Sequence, residues 1–136
     1  MQSDLSHEIL VKFDIEKLLD RKINEISGGE KQRVYLASVM SQSADIFLLD
    51  EPLNNLDLFW QNKFLEIADQ LSKTKLFFTI SHDLNVVQCF AKNILVFDEM
   101  KFQMYKKNEL MNSELLERIF KVKFIKVENK FMITYV

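Results

Sequence analysis

Ile26-Ser27-Gly28-Gly29-Glu30-Lys31-Gln32-Arg33-Val34 holds both glycines of a 136-residue chain, side by side, behind a serine and ahead of a helix-forming run. Glycine lets backbone come close to a ligand and supplies φ/ψ values that other residues avoid. A helix start offers unpaired N–H groups and a positive dipole end to an anion. Taken alone, the stretch is a tight turn followed by a helix. What comes next changes its weight. Ala44-Asp45-Ile46-Phe47-Leu48-Leu49-Asp50-Glu51-Pro52 is an apolar run that ends in two acids and the only proline. Leu56-Asp57 follows, and Ile80-Ser81-His82-Asp83 closes a later apolar run.

Residues 45–49 form a short continuous apolar run, the pattern of a strand covered on both faces as in parallel sheets. Asp50 and Glu51 then fall at its carboxyl end, where open α/β sheets bind ligands. Asp57 is a suitable N-cap. Behind it Trp60, Phe64, Ile67, Ala68 and Leu71 share one helical face and read as core. Residues 75–80 form the next strand, which makes a βαβ unit, expected right-handed. Ser81-His82 again lies at a strand's carboxyl end. Residues 29–42 read as a helix with good formers in its first turns and a mostly apolar, buried length.

Upstream, 4–12 and 15–19 carry helical spacing and 20–25 reads as a polar loop. Downstream, 83–91 is a helix on which Cys89 is a small packed residue. Residues 93–97 and 102–105 are strands joined by Asp98-Glu99-Met100-Lys101, a turn without glycine that predicts a loose hairpin. A helix over 113–120 and a strand pair over 122–127 and 130–135 complete the chain. His7, near the terminus, reads as a solvated side chain.

Composition narrows the functional classes. Net charge is −2 with mixed signs, so no basic patch argues for nucleic acid. A single cysteine excludes an internal disulfide and fits a reducing compartment. The apolar runs fall short of the roughly 18 residues that a membrane span needs, and no signal-peptide core opens the chain. These features predict a soluble cytosolic chain. With two glycines, one proline and no repeat, no internal domain boundary is evident.

The order, residue types and spacing of these stretches resemble the ATP-binding subunits of ABC transporters. Residues 27–32 resemble the ABC signature, 46–50 the Walker B strand, 54–57 the D-loop, and His82 the switch histidine. The resemblance implies an α/β fold of the P-loop NTPase type, a partial domain with a parallel sheet flanked by helices. Within it, 1–27 would be the end of the helical subdomain and the signature loop. Residues 28–100 would carry the signature helix, Walker B, D-loop and switch histidine, and 101–136 the C-terminal strands and helix. The cofactors implied are ATP and Mg²⁺. Asp50 would serve the metal, Glu51 would orient the attacking water as general base, and His82 would contact the γ-phosphate. Ser27, Gly28, Gly29, Glu30, Gln32 and Asp57 would act toward nucleotide held by the other subunit of a dimer. Further partners implied are transmembrane permease subunits, which would place the chain in the cytoplasm at the inner face of the membrane. The tail, Asn108-Glu109-Leu110-Met111 through Phe120-Lys121-Val122, resembles iron-chelate and cobalamin importer ATPases.

Leu53 and Asn54 depart from the family's usual threonine and serine, which predicts altered interface contacts. The larger departure is that no Gly-x-x-x-x-Gly-Lys-[Ser/Thr] occurs. That loop cradles phosphates with backbone N–H groups, a lysine and a metal-binding hydroxyl. The chain by itself is therefore expected not to bind nucleotide tightly or turn it over. Its first strand is also expected to present an open edge that invites pairing or aggregation. The alternative to an ATPase portion is a non-catalytic interaction module that pairs with an N-terminal half or with a full-length ATPase. A DNA-repair or chromosome-structuring ATPase would show sustained heptads, which are missing here.

Overall fold

Ser27 opens the helix that the glycines announce. Its hydroxyl accepts the Glu30 N–H at 3.2 Å, and the Glu30 carboxylate accepts the Ser27 N–H at 2.8 Å. This reciprocal capping box starts α2 (Gly28–Met40). The computed structural model describes residues 2–98, 101–128 and 130–133. Ahead of α2 lie α1 (Gln2–Lys12) and single 3₁₀ turns at Glu16–Leu18 and Ile23–Glu25. Buried Arg33, Leu36, Ala37 and Met40 follow i, i+3, i+4 and i+7 along α2, while Tyr35 is exposed. The helix is thus buried along a stripe rather than around most of its girth.

β1 (Ile46–Asp50) leads through a turn to α3 (Leu58–Leu71), capped by Asp57, whose carboxylate accepts the Trp60 N–H at 3.0 Å. Phe64, Ile67 and Ala68 are buried as their spacing predicts. Full burial of side chains the size of Phe64 and Ile67 stabilises by about 1.5–3 kcal/mol each. β2 (Leu76–Ile80) then pairs with β1 in parallel, Ile46 beside Leu76 through Asp50 beside Ile80. Neighbouring Phe47 and Phe77 stack with ring centroids 4.9 Å apart.

The expectation that β1 is covered on both faces is corrected. Phe47 and Leu49 are buried, but Ile46 and Leu48 are exposed, and so are Leu76, Phe78 and Ile80 on the same face of β2. An unbroken apolar run has no period from which to read covering on one side or two. Here the rest of the unit covers one side only.

The chain divides into two compact units, Met1–His82 and Asp83–Val136. The second holds α4 (Leu84–Phe90), the antiparallel pair β3 (Asn93–Asp98) and β4 (Lys101–Lys106), α5 (Lys107–Leu110), α6 (Ser113–Phe120), and the antiparallel pair β5 (Phe124–Val127) and β6 (Lys130–Ile133). Its core is Leu84, Leu110, Leu116 and Phe124, with Val87, Ile94, Val96 and Tyr105 packed around it. The β3–β4 register runs unbroken to Asp98 opposite Lys101. The connecting residues 99 and 100, on which the loose hairpin was expected, lie outside the described residues, as does the Cys89 side chain. Among the described residues no helix is long and apolar enough to cross a membrane.

Candidate functional site

Parallel pairing brings the two strand ends together. Asp50 lies beside Ile80, and the Glu51 N–H donates to the Ile80 carbonyl at 3.0 Å, extending the ladder by one residue. Glu51 Oε1 accepts the backbone N–H of His82 at 3.1 Å and lies 2.6 Å from His82 Nδ1. The carboxylate is thereby oriented from the second strand. The Glu51 side chain is 27% exposed and that of His82 79%, so the pair faces open ground. Asp50, one residue earlier, is exposed on the uncovered face of the sheet.

The start of α2 is the second part. Neither glycine has a positive φ, so the expectation that they supply an unusual backbone conformation is corrected; their value is space. A Cβ on Gly28 would meet nothing within 4 Å, whereas one on Gly29 would lie 3.2 Å from the Asn55 carbonyl oxygen. Gly29 is therefore explained by packing against the turn, and Gly28 leaves the first-turn amides approachable. Ser27, Gly29, Arg33, Asn55, Asp57 and Trp60 border a shallow hollow there, with Glu30 at its rim. The backbone hydrogen bond from Ser27 holds the Glu30 carboxyl below the usual carboxylate range, with the Ser27 hydroxyl adding to it.

Two side chains make contacts that sequence reading did not foresee, tying α2 to its surroundings. Gln32, expected to face nucleotide, donates its side-chain amide to the Pro52 carbonyl at 2.8 Å. Arg33, read only as a helix former, is buried. It donates to the Phe13 carbonyl at 2.7 Å and the Asp14 carbonyl at 3.2 Å, and its guanidinium lies 4.2 Å from the centre of the Trp60 ring. Its place on the Leu36, Ala37 and Met40 stripe was the available signal. Among the described residues no three or more His, Cys, Asp or Glu side chains gather to hold a metal.

The family described as ABC transporter matches residues 2–54. An ABC transporter ATP-binding protein of Caldanaerobacter subterraneus is 42% identical over 98 residues, 70% of this chain and 40% of that protein. The petrobactin import ATP-binding protein FatE of Bacillus anthracis is 34% identical over 82% of this chain and 46% of its own. The ferric enterobactin transport ATP-binding protein FepC of Escherichia coli is 34% identical over 78% and 40%. The chain carries an ABC transporter ATP-binding domain sequence. The chain spans under half the length of these relatives. Its fold is that of the ABC ATPases. A transporter described as of the metal-chelate type, solved facing inward, superposes with TM-score 0.77 at 24% identity, over 97% of this chain and 57% of that one. An ATP-binding cassette of an ABC transporter superposes with TM-score 0.70 at 19% identity, over 88% and 48%.

The donors present fit the ligands that this ABC family implies. Open ground over Gly28 at a helix start suits a phosphate. A single exposed carboxylate at Asp50 suits Mg²⁺, which takes oxygen ligands and keeps several waters.

Proposed function

We propose that this chain supplies the signature and Walker B side of an ABC importer's ATPase, both units belonging to one ATP-binding domain. The observation that carries the reading is the Glu51–His82 pair at the carboxyl ends of two adjacent parallel strands. Relatives named for petrobactin import and ferric enterobactin transport support the importer class. Nucleotide with Mg²⁺ would supply a transferable phosphoryl group and neutralise the charge that develops on it. Asp50 would hold the metal, in part through water. Glu51, oriented by His82, would polarise the attacking water and accept its proton. Ser27 and the amides at Gly28 and Gly29 would meet the γ-phosphate of nucleotide bound to a second ATP-binding subunit, with Glu30 and Asp57 shaping the rim. Cytoplasmic placement, against the permease at the membrane's inner face, follows from this reading.

The chain alone should not turn over ATP, because these residues include no phosphate-cradling loop. The test is a chimera in which residues 1–136 replace the matching portion of the ferric enterobactin ATPase. Hydrolysis by the chimera, lost in its Glu51→Gln form, is the expected result. A folded chimera without hydrolysis would overturn it. A non-catalytic pairing module is the second reading, favoured by the uncovered apolar face of β1 and β2. It predicts instead that the free chain inhibits a full-length ATPase.

A further inference from the structure

The turn between β1 and α3 holds two non-glycine residues in the left-handed region, Glu51 at φ 44° and Asn55 at φ 66°. Such conformations persist only where the surroundings impose them. Within the turn, the Asn54 N–H donates to the Glu51 carbonyl and the Leu56 N–H to the Leu53 carbonyl, both at 3.2 Å. Pro52, Leu53 and Leu56 are buried beneath it. Two glutamines reach the turn from its neighbours. Gln61, in the first turn of α3, donates to the Leu56 carbonyl at 3.1 Å, next to the helix cap. Gln32 donates to the Pro52 carbonyl from twenty positions away.

These two ties are not equivalent. The Gln61 bond is local and belongs to the start of α3. The Gln32 bond is long-range and serves the carbonyl of a buried residue, which needs a donor. Pro52 is bonded directly to Glu51, so its carbonyl lies one residue from the group that meets His82. Three residues before Gln32, Gly29 runs so close to the other end of the turn that a Cβ there would lie 3.2 Å from the Asn55 carbonyl oxygen. The first turns of α2 therefore hold the turn by a hydrogen bond at Pro52 and approach it closely at Asn55.

We propose that Gln32 is a positioning residue: through the Pro52 carbonyl it holds the left-handed Glu51 in register with His82, so that the glycine-bearing start of α2 and the end of β1 move together. The inference rests on the reading of Glu51 as the general base. It assigns Gln32 to the loop behind the site rather than to nucleotide.

Amide exchange and ¹⁵N NMR on the whole chain without nucleotide test it. In Gln32→Leu, which keeps an apolar stem but loses the donor, exchange at Asn54 and Leu56 should rise about 5- to 10-fold, the effect of one lost hydrogen bond. The amides of Phe64 and Ile67 in α3 should keep their protection, and the His82 ring ¹⁵N shifts should move at fixed pH. Gln32→Lys, which restores a donor, should return both signals toward those of the parent. Unchanged turn amides and His82 shifts in Gln32→Leu would overturn the inference. So would an equal rise at α3 amides, which marks general destabilisation, or a Gln32→Lys form that behaves like Gln32→Leu. Should Gln32→Leu not fold, the parent still decides the matter. The Gln32 side-chain amide signals should shift in Glu51→Gln, and an unmoved pair of signals would refute the coupling. None of these readouts uses nucleotide. An inactive chimera would therefore remove the ATPase reading alone, and flat NMR signals beside an active chimera would remove only the role of Gln32.

Discussion

Adjacent glycines in one helical turn should respond oppositely to the same methyl group. Gly28 and Gly29 both open α2 with ordinary backbone conformation, so alanine is sterically allowed by φ at each. Helix propensity favours alanine by up to about 1 kcal/mol, through lower entropy of the unfolded chain. At Gly28 nothing lies within 4 Å of the new Cβ, and most of that gain should survive. At Gly29 the Cβ would lie 3.2 Å from the Asn55 carbonyl oxygen, so one of the two must yield by a few tenths of an ångström. Asn55 sits at φ 66° in a turn tied by Gln32 and Gln61, which leaves it little room to yield. Overpacking of this kind costs about 1–3 kcal/mol. Gly28→Ala should therefore be more stable than the parent and Gly29→Ala less stable, with a gap of about 1–3 kcal/mol between them. Trp60, the only tryptophan, reports on this unit, so urea unfolding followed by its fluorescence is the assay. With a urea slope of about 1–3 kcal/mol/M, the two midpoints should separate by roughly 1 M. Two midpoints that rise together would refute the rigid turn. Two that fall together would refute the claim that space, not conformation, explains Gly28.

Arg33→Lys keeps the charge but loses the planar fork that reaches the Phe13 and Asp14 carbonyls and lies over Trp60, and should cost about 2–3 kcal/mol by urea unfolding. An unchanged midpoint would show those contacts to be worth nothing. The carboxyls of Glu30, held by the Ser27 backbone N–H, and Asp14, held by its hydrogen bond from Lys17, lie below the usual range. A lowered folded-state value stabilises above the unfolded value and is lost as pH falls through the folded one, so both contribute to an acid limb, which begins at about pH 4.5 for Glu30 and at about pH 3.8 for Asp14. Glu30→Gln, whose amide oxygen still accepts from Ser27, should flatten that limb; a limb superimposable on the parent's would contradict the assignment. Leu48→Lys places a charge on a side chain 74% exposed and should change stability by less than about 0.5 kcal/mol while lowering self-association measured by sedimentation. A large loss of stability would mean that this face is covered.

Much of the local structure was legible because its causes are local. Ser27 with Glu30, Asp57 with Trp60, and Asn112 with Glu114 satisfy helix starts with side chains two or three positions away. The spacing of Phe64, Ile67 and Ala68 states which face of α3 is buried. The α6 boundaries, Ser113–Phe120, match those read from its apolar side. Other expectations failed for an identifiable reason. The run from Ile46 to Leu49 has no alternation, so nothing in it distinguishes a strand covered once from one covered twice. The glycine pair advertised backbone freedom, and whether freedom or space was in use depended on what lay opposite.

The sequence by itself determined the α/β order of elements, the Asp57 helix cap, the family resemblance, and the placing of Asp50, Glu51 and His82 at strand ends. Only the tertiary structure decided that Glu51 meets His82, that Arg33 is buried, and that the Gln32 amide donates to the Pro52 carbonyl. The physical reason is range. A cap or a periodic face costs little chain entropy to close and is written within one or two turns. The register of parallel strands and the grip of one helix on a distant turn depend on where the chain returns after α3, and that is set by the packing of the whole unit.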